Sequence, residues 1–317
     1  MDPLRAIADA VLYEGYVLWP YRRSALKNTR RFTFGGVYPP AHSEAHPDDP
    51  SWVQTQVLME GGPEARLEVR VRFLQVVRRQ LHRDGEPVDE LMVGGERHLS
   101  WEEATEREVT AEGLEARVPI AMAAGREEER LGDGAIVRTW HGLAGEIAIG
   151  AEPVSDGAYR LTVRIENSTP FAGGTREEAL ERTFCSTHTI LRVRHAALVS
   201  AVDPPEARRA EVEACRNEGA WPVLVGEPGE RHTMLSSPII LDEYPRVAPE
   251  SPGDLFDGGE IDQLLTLNIL SLTDEEKAEM RASDPRAREI LDRTEALTEQ
   301  ELMRLHGAIR DLRVVRP

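Results

Sequence analysis

The chain has 317 residues, of which 40% are hydrophobic and 30% are charged, so it is long enough for one large or two smaller globular domains. Its formal charge of −18 at pH 7 opposes general binding to nucleic acid or to an anionic membrane surface, so we expect neither as a partner. No apolar run approaches the ~20 residues that cross a bilayer, and the N-terminus lacks the basic and long apolar regions of a secretory signal. We therefore expect a cytoplasmic protein without a membrane span.

The first predicted element is a short amphipathic helix. Ile7, Ala8, Val11 and Leu12 recur at the spacing of one helical face, and Gly15 is placed to end the helix. The β-forming residues that follow favour extended chain. We assign residues 1–30 to this helix and to an aromatic and basic segment.

An antiparallel β-rich body is predicted for residues 31–242, with a first strand over 31–38. Residues 65–73 alternate between apolar odd and charged even positions, which indicates a half-buried strand. Residues 61–64, Gly-Gly-Pro-Glu, predict a hairpin between this strand and the alternating run before it. Six to ten strands are expected in all, including a hairpin of 146–150 with 158–166 and later strands at 188–200, 222–225 and 234–241.

The period of the sequence changes near Asp242. Prolines and acids interrupt residues 242–254, and helical periodicity follows. The Thr273-to-Glu276 spacing is typical of a helix capping box. We assign residues 243–317 to a proline/acid strap and a helical tail that docks on the β body. The predicted fold class is therefore α+β, a sandwich or barrel-like antiparallel body with an N-terminal helix and a C-terminal helical tail.

The highest local density of aromatic residues lies between Tyr13 and Tyr38, where seven of them occur together with five basic side chains. They can pack the N-terminal helix on the sheet, form a protein-binding hot spot, or stack against an anion or a nucleic acid. The leading functional hypothesis is protein binding. The residues predicted to bind the partner are Trp19, Tyr21, Arg22, Arg23, Arg30 and Arg31.

His42 and His46 are the weak metal candidates of the sequence. Two histidines four residues apart can ligate a divalent metal if they lie on a helix and a third ligand is present. The neighbouring prolines at positions 39, 40 and 47 favour a flexible loop instead, so we predict no metal site and no cofactor.

Two further groups have chemical potential without a matching motif. Cys185 and His188 resemble a nucleophile and a base, but alternation places His195 on the inward strand face and favours buried histidines with structural roles. The strap acids lack the calcium-loop pattern and are expected to face water or cap helices. They are Asp242, Glu243, Glu250, Asp254, Asp257 and Glu260. A P-loop, a dinucleotide fingerprint and a zinc motif are also absent from the sequence.

Three segments resemble a bacterial family of accessory proteins encoded beside nickel–iron hydrogenases. They are the Trp19-Pro20 run within 11–22, the Gly35-Gly36 run within 31–38, and the proline-rich stretch 248–256. The resemblance implies an accessory, assembly or chaperone role in hydrogenase maturation, with a hydrogenase subunit or a maturation factor as the protein partner. It transfers no catalytic residue, so the leading hypothesis is a protein that is not an enzyme. The alternative is an enzyme or metal-binding protein with its site in a cleft between the β body and the helical tail.

Overall fold

A computed structural model describes residues 3–13, 34–245 and 269–283, together with 288, 291, 292 and 294–297. It confirms the α+β class, because most described residues lie in a β-rich, sandwich-like antiparallel body. None of the described helices has the length and apolar character to cross a membrane. The main helices are α1 (Pro3–Tyr13), α2 (Pro40–Ala45), α3 (Arg176–Leu180), α4 (Arg209–Glu213) and α5 (Asp274–Ser283), and a 3₁₀ turn covers Glu206–Arg208.

Eleven strands form the main sheet, and the described residues contain thirteen strands in all, more than the six to ten predicted. The central order is β12-β13-β11-β1-β10-β9-β6, with β2, β5 and β8 also paired to β1, β7 paired to β8, and β3 and β4 forming a separate hairpin. The strands are β1 (Trp52–Arg83), β2 (Glu86–Val88), β3 (Glu90–Val93), β4 (Glu96–Leu99), β5 (Trp101–Glu112), β6 (Ala116–Met122), β7 (Gly125–Leu131), β8 (Gly134–Trp140), β9 (Leu143–Ser155), β10 (Ala158–Asn167), β11 (Cys185–Leu198), β12 (Trp221–Leu224) and β13 (Thr233–Ser237).

Strand β1 is 32 residues long and pairs in turn with β10, β11, β5, β8 and β2. The hairpin predicted at residues 61–64 is therefore wrong, because the chain continues through them in one strand. A tight two-residue hairpin needs a positive φ at a glycine, and neither Gly61 nor Gly62 has one. The sequence signal marks an irregularity instead, where the register of β1 against β11 shifts between Gly61 and Arg66.

The later predicted strands are confirmed as β11, β12 and β13, and the β9–β10 hairpin is confirmed with Gly157 at φ +67° in its turn. The strands that the sequence patterns did not predict lie mainly between residues 86 and 140. Many of them are short and carry charged residues on both faces, as in β7. Most of them pair with β1 or with the strand next to them in the chain. Their formation therefore depends on tertiary contacts more than on the local sequence.

The odd-numbered residues of β1 face the main apolar core, as the alternation predicts. Phe73 is fully buried there and packs against Phe184 with 4.7 Å between the ring centroids. The predicted N-terminal helix is confirmed as α1. Its Ile7 and Val11 pack with Ile190 and Leu235 in a separate apolar cluster.

Several local predictions differ from the structure. Of the strand predicted at 31–38, Val37 forms only an isolated bridge to Phe184, while residues 31–33 lie outside the described residues. His195 is exposed rather than inward, because it has φ +54° at the β11 irregularity and the alternation breaks there. Asp203 as a cap, Pro204 at the first helical position and Gly219 as a stop predict a helix between them, but this stretch forms only a 3₁₀ turn followed by the short α4.

At the C-terminal end, Thr273 and Glu276 form the predicted capping box of α5, with reciprocal hydrogen bonds of 2.9 and 3.2 Å. Ile269, Met280 and Leu291 form a small apolar cluster. This part contacts the body at β4, where Arg288 Nη2 lies 2.7 Å from Glu96 Oε1. The tail therefore reaches the β body, as the sequence predicts.

Candidate functional site

The six predicted partner-binding residues cannot be placed on the fold. Trp19, Tyr21, Arg22, Arg23, Arg30 and Arg31 all lie outside the described residues. Phe34 is the first described residue after them in the sequence. The partner-binding assignment therefore stays a prediction, and the described residues next to this segment become the relevant surface.

Three large apolar side chains are exposed near one corner of the sheet, which we call the corner patch: Phe34, Trp221 and Ile240. Their side chains are 40%, 44% and 76% exposed, respectively. Trp221 is the cross-strand partner of Ser237, and Ile240 follows three residues after Ser237. Phe34 joins this corner because Pro238 lies against the backbone of the adjacent Gly35.

The corner patch is built on ordered backbone. Ser186 N donates to Phe34 O at 3.1 Å and Thr187 N donates to Gly35 O at 2.8 Å, which fixes the chain that leads into the patch. Gly35 has φ +57°, and a Cβ at this position would lie 2.6 Å from Pro238 Cγ, so a side chain here would clash. Trp221 lies on β12, the terminal strand in the central strand order. Trp221 is the first residue of this strand and its one exposed residue, since Pro222, Val223 and Leu224 are buried.

A second candidate site is a cleft of about 420 Å³ between the sheet and the C-terminal helices, which we call the arginine cleft. Its sheet side contains a ladder of ion pairs. Glu103 Oε1 lies 3.4 Å from Arg79 Nη1, and its Oε2 accepts from Arg138 Nε at 2.8 Å. Arg138 Nη1 also donates to Glu129 Oε2 at 2.9 Å.

The opposite side of the arginine cleft carries Arg281 and Arg288. Arg281 Nε lies 3.2 Å from Asp292 Oδ1, and Arg281 Nη2 pairs with Glu295. Arg288 Nε donates to the carbonyl oxygen of Arg281 at 3.0 Å in addition to its pair with Glu96. Four arginines from distant parts of the chain thus meet in one cleft.

The loop expected around His42 is wrong, because residues 40–45 form helix α2 and the His42 side chain is buried. His42 Nε2 lies 2.8 Å from Asp49 Oδ2, and its ring stacks on Tyr38 with 5.0 Å between centroids. The Tyr38 hydroxyl accepts a hydrogen bond from Arg176, and burial raises the pKa of Tyr38 well above its ordinary value. This cluster fastens the segment before β1 to α3.

His46 lies beside His42 with 4.4 Å between ring centroids, but it is exposed. Across the described ranges, no three His, Cys, Asp or Glu side chains are grouped so that they could hold a metal ion. Of the strap acids, only Asp242 and Glu243 are described, while Glu250, Asp254, Asp257 and Glu260 lie outside the described residues.

Cys185 and His188 are both buried, on the face of the sheet opposite the main apolar core. Cys185 Sγ lies 3.7 Å from Thr183 O, and His188 Nδ1 lies 3.2 Å from Ser186 O. The pKa of His188 is lowered to about 3, because burial and, to a smaller extent, the positive charge of Arg72 disfavour the protonated ring more than the hydrogen bond with the Ser186 carbonyl favours it. A fully buried, neutral histidine has no access to a substrate, which supports a structural role for this pair.

A smaller pocket of about 90 Å³ contains a Glu–His pair that the sequence patterns did not predict. The carboxylate of buried Glu181 pairs with Arg78 through Oε1 and lies 3.0 Å from His141 Nε2 through Oε2. Gln75 Nε2 donates to the carbonyl oxygen of His141 at 2.6 Å. The backbone and ring of His141 are therefore both held in place.

The arginine cleft and the corner patch carry no local signature in the sequence. The cleft pairs join residues such as Arg79 with Glu103 and Glu96 with Arg288, which are far apart along the chain. Strand register and the packing of distant parts of the chain bring these residues together.

No protein-family model matches the sequence, and no curated protein matches it either.

Proposed function

We propose that the protein is an accessory or assembly protein that acts by binding another protein at the corner patch. The observation that carries this proposal is that three exposed apolar side chains belong to chain segments that adjoin at one corner of the sheet. Of the five large hydrophobic side chains that are exposed among the described residues, Phe34, Trp221 and Ile240 lie at this corner. Met92 and Val202 are the other two.

The chemistry of the corner patch suits a protein partner. Aromatic residues, tryptophan above all, are enriched at binding hot spots because they bury a large area at a low cost in side-chain entropy. An aromatic ring at a sheet edge gains free energy of association when a partner removes it from water. A polar small molecule would gain little from this apolar surface, because the exposed side chains offer it few hydrogen-bonding groups.

The position of the patch along the chain also supports this function. The predicted partner-binding segment, which ends with Arg30 and Arg31, leads directly into Phe34, and the acidic strap begins just after Ile240. Both segments that the sequence offers for partner binding therefore adjoin the same corner in sequence. The proposed contact surface comprises this corner together with the aromatic and basic segment.

The resemblance to proteins encoded beside nickel–iron hydrogenases supports a partner within that system. We propose a hydrogenase subunit or a maturation factor, met in the cytoplasm, with this chain acting as a binding chaperone rather than as an enzyme. No cofactor is needed for this role.

Co-purification from the native host tests the proposal. The tagged full-length protein is expected to retain a hydrogenase subunit or a maturation factor, identified by mass spectrometry. The Trp221→Ser/Ile240→Ser variant should lose most of this partner, since hot-spot truncations cost ~2 kcal/mol or more of binding free energy each. Met92→Ser and Val202→Ser are matched controls because they also remove exposed apolar side chains, and both should retain the partner.

The Arg22→Ala/Arg23→Ala variant extends the test to the basic segment. It is expected to fold normally and to retain less partner, because arginine side chains are frequent hot-spot residues. Unchanged partner recovery with both the corner variant and this arginine variant would overturn the proposal.

A further inference from the structure

We propose that the arginine cleft binds a small polyanion, a molecule with two or more carboxylate or phosphate groups. This inference does not depend on the proposed protein partner. The cleft volume of about 420 Å³ lies within the range of small-molecule sites. Leu131, Ile136 and Ala282 add an apolar surface between the charged groups.

The number of hydrogen-bond donors favours an anion. Arg138 uses Nε and Nη1, and both Arg281 and Arg288 use Nε and Nη2, for acceptors of the protein. Within the described part of the chain, each of these three guanidinium groups therefore keeps one Nη amino group without a protein acceptor. Three such groups in one cleft can donate together to the oxygens of a single ligand.

The acids of the cleft favour an anion over a cation for the same reason. Glu103 is shared by Arg79 and Arg138, and Glu129 pairs with Arg138. Among the residues that the structure describes, the cleft has no carboxylate cluster free for a metal. Glu96 and Asp292 pair with Arg288 and Arg281. The negative charges are thus engaged by arginines, while donors of the same arginines remain for a ligand.

The preference for a multivalent ligand comes from hydrogen bonds and not from net charge. The lining of the cleft contains four arginines and four acids, so its charges balance and a single anionic group has little to gain there. A ligand with several anionic groups gains several charge-assisted hydrogen bonds at once, from both sides of the cleft. Glu96 and Asp292 have side chains that are more than half exposed, so their ion pairs are weak competitors for the same guanidinium groups.

Isothermal titration of the full-length protein with pyrophosphate and with citrate tests this inference, and acetate provides the monovalent comparison. We expect one binding event for at least one of the polyanions and none for acetate at equal concentration. The two probes separate phosphate from carboxylate preference.

The Arg281→Gln and Arg288→Gln variants should each raise the Kd about tenfold, because a hydrogen bond to a charged group is lost. Arg97→Gln is the matched control. The Arg97 side chain is 42% exposed, against 41% for Arg281 and 45% for Arg288, and it pairs with Glu90 in the β3–β4 hairpin without lining the cleft. It should leave the Kd unchanged.

A loss of binding in Arg281→Gln or Arg288→Gln can also arise from unfolding of the C-terminal helices. Arg138→Gln controls for this effect, because Arg138 lies on β8 of the sheet. It should also raise the Kd about tenfold, while amide exchange of residues 274–283 stays as in the parent chain. The inference is overturned if neither polyanion binds, or if Arg97→Gln weakens binding as much as the cleft variants do.

Discussion

The main core of the β body comprises 24 buried apolar residues, whereas the described C-terminal residues bury three in their own cluster. Ile269, Met280 and Leu291 form that smaller core. The boundary between the two regions is the polar arginine cleft, bridged by the ion pair of Arg288 with Glu96. Burial of apolar area contributes roughly 25 cal/mol per Å², whereas an exposed ion pair contributes ~0–1 kcal/mol.

This difference teaches that the two regions should respond differently to the same kind of change. The body is expected to be a cooperative unit because β1 pairs with five other strands and its largest apolar cluster includes residues of β1, β5, β6 and β9–β13. The C-terminal helices have few apolar contacts, and regions of this kind open locally at low free energy. The following predictions test the comparison, from the largest expected effect to the smallest.

The Phe73→Ala variant should have the largest effect. Phe73 is fully buried against Phe184, and truncation of a core aromatic costs ~3–5 kcal/mol of unfolding free energy through lost burial and a cavity. Urea unfolding measures the loss. Met280→Ala is the counterpart in the C-terminal cluster, and it should increase amide exchange at 274–283 while the body keeps its global stability. Equal global losses would contradict the comparison.

The Asp9→Ala variant removes a partner of a buried charge. Arg72, whose side chain is 5% exposed, pairs with Asp9 at 2.5 Å and fastens α1 to the sheet. We expect a loss of ~1–3 kcal/mol of unfolding free energy, because a buried charged donor loses its shortest acceptor. Glu64→Ala on the same strand β1 breaks an exposed pair with Arg66 and should cost less than ~0.5 kcal/mol. An unchanged unfolding free energy for Asp9→Ala would show that this ion pair does not hold the helix on the sheet.

The buried His188 should make the stability of the body depend on pH. Its pKa is about 3 in the folded chain and ~6.5 when unfolded, so between these values only the unfolded state binds the proton. Stability therefore falls as the pH drops below ~6.5, by at most ~1.4 kcal/mol per pH unit. The other charged groups at this site are Arg72 with its partners Asp9, Glu106 and Glu108.

Urea unfolding at pH 7, 6 and 5 measures this dependence. The His188→Gln variant should have a flatter profile than the parent chain, because the group that titrates only in the unfolded state has been removed. The exposed His46 serves as the comparison, and His46→Gln should preserve the parent slope. Identical slopes for the parent chain and His188→Gln would contradict this explanation.

The smallest effect is expected for Glu96→Gln, which removes the ion pair between β4 and the C-terminal region. Global stability should change by less than ~1 kcal/mol, because the pair is exposed. Amide exchange at 274–283 should nevertheless become faster. Glu90→Gln breaks the pair with Arg97 on the same hairpin and should leave that exchange unchanged. A large global loss for Glu96→Gln would show that the two regions unfold together.

Local patterns predicted many elements correctly. The alternation of 65–73 identified a strand of the core, the spacing of Ile7 and Val11 identified α1, and the Thr273 capping box identified the start of α5. Each of these signals lies within a few residues, so the local sequence is sufficient. The hairpin at 61–64 failed because the same glycines also suit a strand irregularity.

The sites were less predictable than the elements. Sequence patterns predicted partner binding for Trp19, Tyr21 and their basic neighbours. They predicted no role for Trp221 or for the cleft arginines. Trp221 is the one exposed residue of β12, and which residue of that strand stays uncovered depends on the complete sheet and on what packs against it. His42 is buried because Tyr38, Asp49 and α3 surround it, although its prolines favour a loop.

The sequence by itself determined the α+β class, the alternation that builds the core, and the excess of negative charge. Periodicity and composition are local or global sums, so they can be read without knowing which strands pair. Only the tertiary structure decided that β1 continues through Gly61 and that Arg138 meets Arg288 across one cleft. Such contacts join residues far apart in the chain, and strand register together with the packing of distant elements fixes them.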